Sequence, residues 1–132
     1  MAGKKTAPAT GRALEAEVAA VGRKLGLKVQ SQVKVGRRLW GAVRKIDVVF
    51  THPDTRKGLG IECKAQATKG TAEEKIPATI DDIDAWPIRG LVVFAGEGFS
   101  TNMENYLFST GKAVALEDLE TWLKLYFGLA ER

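Results

Sequence analysis

Glu62, Lys64 and Gln66 recur at every second position of the run 59–67, and Asp47 interrupts an apolar run between Ile46 and Val48. In a β-strand, alternate residues share a face. Leu59, Ile61, Cys63 and Ala65 then make an apolar face, and a carboxylate, an ammonium and an amide stand in a row on the other. A charge in the middle of a strand such as 43–50 runs against propensity and asks for a reason. A hairpin centred between Asp54 and Thr55 pairs Asp47 with Glu62, with Cβ atoms about 4.5–5.5 Å apart on one face. Two such carboxylates can hold a hard divalent cation, Mg²⁺ or its substitute Mn²⁺, through oxygen ligands. A cation there lowers the pKa of bound water and offsets charge on a phosphodiester. Lys64 is then placed to steer the water and stabilise the developing oxyanion, with Gln66 beside it. The alternative for the same residues is a surface ladder of ion pairs, each contributing about 0–1 kcal/mol.

The rest of the composition narrows the chemistry. A single cysteine, Cys63, and a single histidine, His52, provide no zinc cluster and no internal disulfide. A reducing, cytoplasmic setting is expected. Catalysis must therefore run on carboxylates, lysine and a hard metal ion. Residues 1–66 carry fourteen Lys/Arg against five Asp/Glu, while residues 67–132 carry six against eleven. That asymmetry implies a face that meets a polyanion, or else basic residues that merely solvate one edge. Lys34, Arg37, Arg38, Arg44 and Lys45 cluster around the first hairpin with Trp40 among them, a pattern that suits phosphate contact and base stacking. Trp40 fits a core or an interface equally well. Lys75 is a further candidate for a backbone phosphate, or an ordinary exposed helix charge.

The elements that must position these groups follow from periodicity. Residues 11–25 repeat apolar positions at helical spacing, and Gly26 can end that helix in a left-handed conformation. Residues 27–35 alternate as a half-buried strand, a turn follows at 36–38, and 43–50 forms the second strand. Turn chemistry at 52–55 leads into the strand 59–67. A helix is expected over 72–85, interrupted near Pro77, then a buried strand at 91–95. A helix at 101–109, a short strand at 112–115 and a helix at 116–129 complete the chain. This is an α/β domain over 11–132, a mixed β-sheet flanked by helices in an αβββαβ core with C-terminal helices, preceded by a disordered basic tail at 1–10. No apolar run is long enough to span a bilayer. The last helix is apolar over more than one stripe, which suits either a small core or a homodimer interface.

Asp47 followed by Glu62-Cys63-Lys64, in the order helix, three strands, helix, strand, resembles the PD-(D/E)XK nuclease superfamily with its restriction-endonuclease-like fold. The resemblance runs from Gly11 to about Ala95. It implies a metal-dependent DNA endonuclease in which Asp47 and Glu62 hold the cation and Lys64 positions the attacking water. Glu15, in Gly11-x-x-x-Glu15-x-x-Val18, matches the glutamate that many members carry on the first helix near the metal. Without the resemblance, Glu15 reads equally as a solvated helix residue. The stretches 62–66 and 70–77 resemble a prokaryotic and phage branch. The literal Pro-Asp pair is Pro53-Asp54, in a turn, whereas Asp47 follows Ile46; the strand position favours Asp47. Two other readings stand beside the endonuclease: a Holliday-junction resolvase of the same fold, and a nucleic-acid-binding module without activity.

Overall fold

A computed structural model describes residues 10–37, 43–65, 76–96, 99 and 101–129. Thr10 opens the first helix by accepting the Ala13 N–H at 3.1 Å, an N-cap that satisfies one of the helix's free amides. Helix α1 (Gly11–Lys24) buries Leu14, Val18 and Ala19, and Gly26 leaves it at φ +82°. Strands β1 (Lys28–Arg37), β2 (Val43–Thr51) and β3 (Gly58–Ala65) follow as an antiparallel meander. Helix α2 (Ile76–Asp84) carries the chain over to β4 (Gly90–Ala95), and α3 (Thr101–Ser109) to β5 (Ala113–Ala115). Both β4 and β5 run parallel to their neighbours, giving a five-stranded mixed sheet in the order β1-β2-β3-β4-β5. A short 3₁₀ turn, Leu116–Asp118, leads into α4 (Leu119–Phe127).

Two apolar clusters enclose the sheet. Leu14 and Val18 of α1 and Leu119, Leu123 and Phe127 of α4 pack on one face with Val48, Phe50, Leu59, Ile61 and Cys63. On the other face, Ile76, Ile80 and Ile83 of α2 and Leu107 of α3 pack with Trp86, Val92 and Phe94. Because β4 is covered on both sides, it reads as a continuous apolar run, with every residue buried. Docking of α1 is close: a Cβ on Gly22 would collide with the Phe50 ring. No helix among the described residues is long and apolar enough to cross a membrane.

Several boundaries differ from the sequence expectation, for identifiable reasons. The described helix α2 runs unbroken from Ile76, with Pro77 as its second residue, to Asp84, and residues 72–75 of the expected helix lie outside the described residues. Gly36 and Arg37 continue β1 through a register shift between Lys34 and Gly36, where a turn was expected. The larger difference lies in the sheet faces. The pattern 27–35 predicts one apolar face, yet Leu27 and Val29 belong to the α1 side while Val33 and Val35 pack on the α2 side. Strand β2 changes in the same place, with Val48 and Phe50 on the α1 side and Ile46 on the other. The register passes from Ser31↔Val48 to Val33↔Ile46, so the row in which both strands switch is Gln32 and Asp47. Gln32 makes the switch at φ +52°, a left-handed conformation uncommon outside glycine.

The second apolar stripe of α4 is largely covered from within the chain. Trp122 stacks on Tyr126, Lys57 Nζ lies 4.1 Å from the centre of the Tyr126 ring, and Tyr126 Oη donates to the Gly58 carbonyl at 3.0 Å. Leu125, 79% exposed, is the large apolar side chain that α4 turns to solvent.

The face of β3 opposite α1 and α4 is open only in its second half. Trp86 lies over Gly60, leaving no room for a methyl group: a Cβ there would sit 2.8 Å from the ring and 3.2 Å from Ile46 Cγ2. Gly60→Ala is therefore expected to destabilise the fold by about 1–3 kcal/mol through overpacking, read from the denaturant midpoint followed by tryptophan fluorescence.

Candidate active site

The site forms where β2 and β3 part. Their antiparallel register runs from Thr51↔Gly58 to Val48↔Ile61, the spacing that a turn centred between Asp54 and Thr55 demands. That turn is held by His52, whose Nδ1 accepts the amides of Asp54 and Thr55, so Asp54 is fixed at the tip. Beyond Val48↔Ile61 the next β3 amide facing β2, that of Cys63, donates to Asp47 Oδ2 at 2.9 Å. A side-chain carboxylate has thus entered the gap between the strands. The face switch at Asp47 makes this possible, because its side chain leaves the strand where neither core claims it.

Glu62 and Lys64 follow on β3, partly buried, opposite Val92 and Phe94 of β4. Lys64 Nζ lies 3.5 Å from Glu62 Oε2, with 30% and 21% of the two side chains exposed. Burial first, and then Asp47 within hydrogen-bond reach, together raise the Glu62 pKa from its usual 4.5 to about 7 against the lowering influence of Lys64. One positive charge therefore does not balance two crowded carboxylates, and near neutral pH the pair holds a proton. Cys63 is buried on the α1 side, and burial together with Asp47, Glu15 and Glu62 drives its thiol pKa far up. It is packing, not a nucleophile.

Glu15, on α1, approaches from the other flank. Its Oε1 accepts the Gln32 Nε2–H at 2.8 Å, and the same nitrogen lies 3.4 Å from Asp47 Oδ1. The structure thus brings Asp47, Glu62 and Lys64 together and links Glu15 to them through Gln32. Sequence reasoning did not single out Gln32, since a polar residue in an alternating strand carries no signal of its own. Among the described residues no three His, Cys, Asp or Glu side chains stand close enough together to form a ready metal cage. Gln66, Arg38, Trp40 and Lys75 lie outside the described residues, as does the Arg37 side chain. Arg44 Nε is committed to Asp82 Oδ1 on α2 at 3.1 Å, in a partly buried pair. Lys34 and Lys45 are exposed and directly opposite each other in the β1–β2 ladder.

Residues 6–123 match the family model described as the PD-(D/E)XK nuclease superfamily domain. Two solved structures share the fold. One is a protein of unknown function, AF1548, at 19% identity and a TM-score of 0.53, the match covering 76% of this chain and 55% of that one. The other is VC1899 from Vibrio cholerae, at 18% identity and a TM-score of 0.60, covering 89% of this chain and 34% of that one. The chain thus spans about half of the first protein and a third of the second. No curated protein matches the sequence.

The raised Glu62 pKa has a thermodynamic consequence. Between pH 4.5 and about 7 the folded, metal-free protein holds a proton that the unfolded chain has released, so stability falls as pH rises through that window. Keeping Glu62 ionised above it costs on the order of 3 kcal/mol. In chelator, Glu62→Gln is expected to raise the melting temperature at pH 8 and to flatten its decline from pH 5 to 8. An unaltered pH slope in the variant would show that another group is responsible.

Proposed function

Because the chain belongs to the PD-(D/E)XK nuclease superfamily, we propose that it is a Mg²⁺-dependent DNA endonuclease that hydrolyses phosphodiester bonds, with Mn²⁺ able to substitute. The observation that carries this reading is the crowding of Asp47 against Glu62 where two strands separate, tight enough for Glu62 to retain a proton near pH 7. An oxygen-donor pair of that kind suits a hard divalent cation, which neutralises the repulsion by displacing the proton.

Asp47 and Glu62 would hold the cation, with Glu15 in support. Bound there, it supplies a Lewis acid that shields the phosphate and acidifies water. The Cys63 amide fixes one Asp47 oxygen, which reduces the freedom of that carboxylate before any ligand arrives. Lys64, held beside Glu62, keeps an ammonium at the mouth of the site, where it orients a water and stabilises negative charge on a phosphoryl oxygen. Gln66, the next residue in the same alternation, is assigned to the same water or phosphate.

DNA as the substrate is supported by the surface beside the site. Like charges directly opposite in a ladder destabilise a sheet, and Lys34 and Lys45 form such a pair. A phosphate backbone lying across β1 and β2 would turn that cost into binding, with Arg37, Arg38 and Trp40 in the adjoining segment. Arg44, paired with Asp82, is assigned a lesser part.

Supercoiled plasmid incubated with Mg²⁺ is expected to be nicked, and chelator to stop it. Asp47→Ala and Lys64→Ala should each lower the rate by two orders of magnitude or more, with binding of duplex DNA retained. DNA binding that persists in chelator, without any cleavage by the unmodified protein in Mg²⁺ or Mn²⁺, would identify a binding module and overturn the proposal. A four-way junction cut in preference to plain duplex would make the enzyme a junction resolvase.

A further inference from the structure

We infer that Gln32 is a positioning residue that carries the α1 carboxylate, Glu15, into the cation site. The inference rests on the nuclease reading and extends it to a residue outside the Asp47, Glu62 and Lys64 set. Glu15 and Asp47 belong to elements separated by the whole of β1, and both are negatively charged. Left to themselves they would repel. One nitrogen lies between them: Gln32 Nε2, 2.8 Å from Glu15 Oε1 and 3.4 Å from Asp47 Oδ1. A side-chain amide has two N–H donors on that nitrogen, so it can serve both carboxylates at once without bringing in a full charge.

The backbone supports this assignment. Gln32 holds φ at +52° in a row where glycine would be relaxed. A hydrogen bond from an exposed amide to a carboxylate returns about what a non-glycine left-handed residue costs. The arrangement therefore adds little to stability. Its effect is one of position: the left-handed residue is where β1 changes faces, and the change projects the amide toward α1 and β2 together. Strain held at one residue and used to aim a side chain is characteristic of functional sites. Groups that orient metal ligands without touching the metal commonly change affinity by ten- to a hundredfold.

The test uses Mn²⁺ alone, titrated into the full chain by calorimetry without DNA, beside melting curves in chelator. Gln32→Gly removes the amide and relieves the strain, so it should keep or raise the melting temperature while weakening Mn²⁺ binding about tenfold or more. Gln32→Leu, similar in size but without donors, should weaken binding to the same degree. Glu15→Gln should do likewise, and Gln32→Gly/Glu15→Gln should bind no more weakly than either single variant, because the two act as one unit. Wild-type affinity in both Gln32 variants overturns the inference alone. Additive losses in the double variant also overturn it, since Gln32 would then act independently of Glu15. An unmodified chain that binds no Mn²⁺ and nicks no plasmid overturns the nuclease reading and this inference together.

Discussion

The architecture turns on the placement of one aspartate between two strands. A carboxylate on an ordinary strand points into a core or into water, and neither position serves to hold a cation between elements. Asp47 avoids both because β2 changes faces at that residue, and the Cys63 amide then fixes one of its oxygens. The hydrogen bond closes the ladder with a side chain where a backbone carbonyl would stand, so the Cys63 amide is not left unpaired. From there Glu62 has no alternative to proximity. It is the neighbour of Cys63 on a strand clamped between two cores, and its partner across the gap is Asp47.

Much of this geometry was legible beforehand. The turn at 52–55 and the alternation of 59–67 define a register in which Asp47 meets Glu62, and the ladder follows that register from Thr51↔Gly58 to Val48↔Ile61. Helices α1 and α3 were equally clear, since helical periodicity and a following glycine or turn are local signals. The simultaneous face switch of β1 and β2 was not visible, because it depends on pairing. Gln32 is an ordinary strand residue by type, and its left-handed backbone lies in the row between Ser31↔Val48 and Val33↔Ile46, where Asp47 sits on the neighbouring strand. Arg44 illustrates a similar limit. Sequence neighbours place it in a basic cluster, whereas its partner Asp82 is thirty-eight positions away on α2. Two residues that meet only through the fold leave no trace in composition.

Charge and packing act jointly around the site. On the α2 side, Trp86 presses on Gly60 and Gly90 and fixes the spacing of β3 and β4 just before Glu62 and Lys64 emerge. On the α1 side, Gly22 lets the helix approach Phe50, which sets how far Glu15 stands from the sheet. Small residues at these two close approaches thus place the carboxylates as firmly as the hydrogen bonds do. The Lys57–Tyr126–Trp122 stack meanwhile ties α4 to the opposite end of β3, away from the charged groups.

The direction of one shift speaks against a stabilising ion-pair ladder. In a ladder, the lysine lowers the pKa of its carboxylate partner, and the fold gains from ionisation. Glu62 moves the other way, up to about 7, although Lys64 stands 3.5 Å from it. Burial and Asp47 outweigh the ammonium, so in the absence of a ligand this arrangement costs stability when ionised. Proteins keep such arrangements where function requires them. On the proposed reading, a divalent cation would supply the balancing positive charge between the two carboxylates, leaving the lysine to act on the negative group that the cation brings with it.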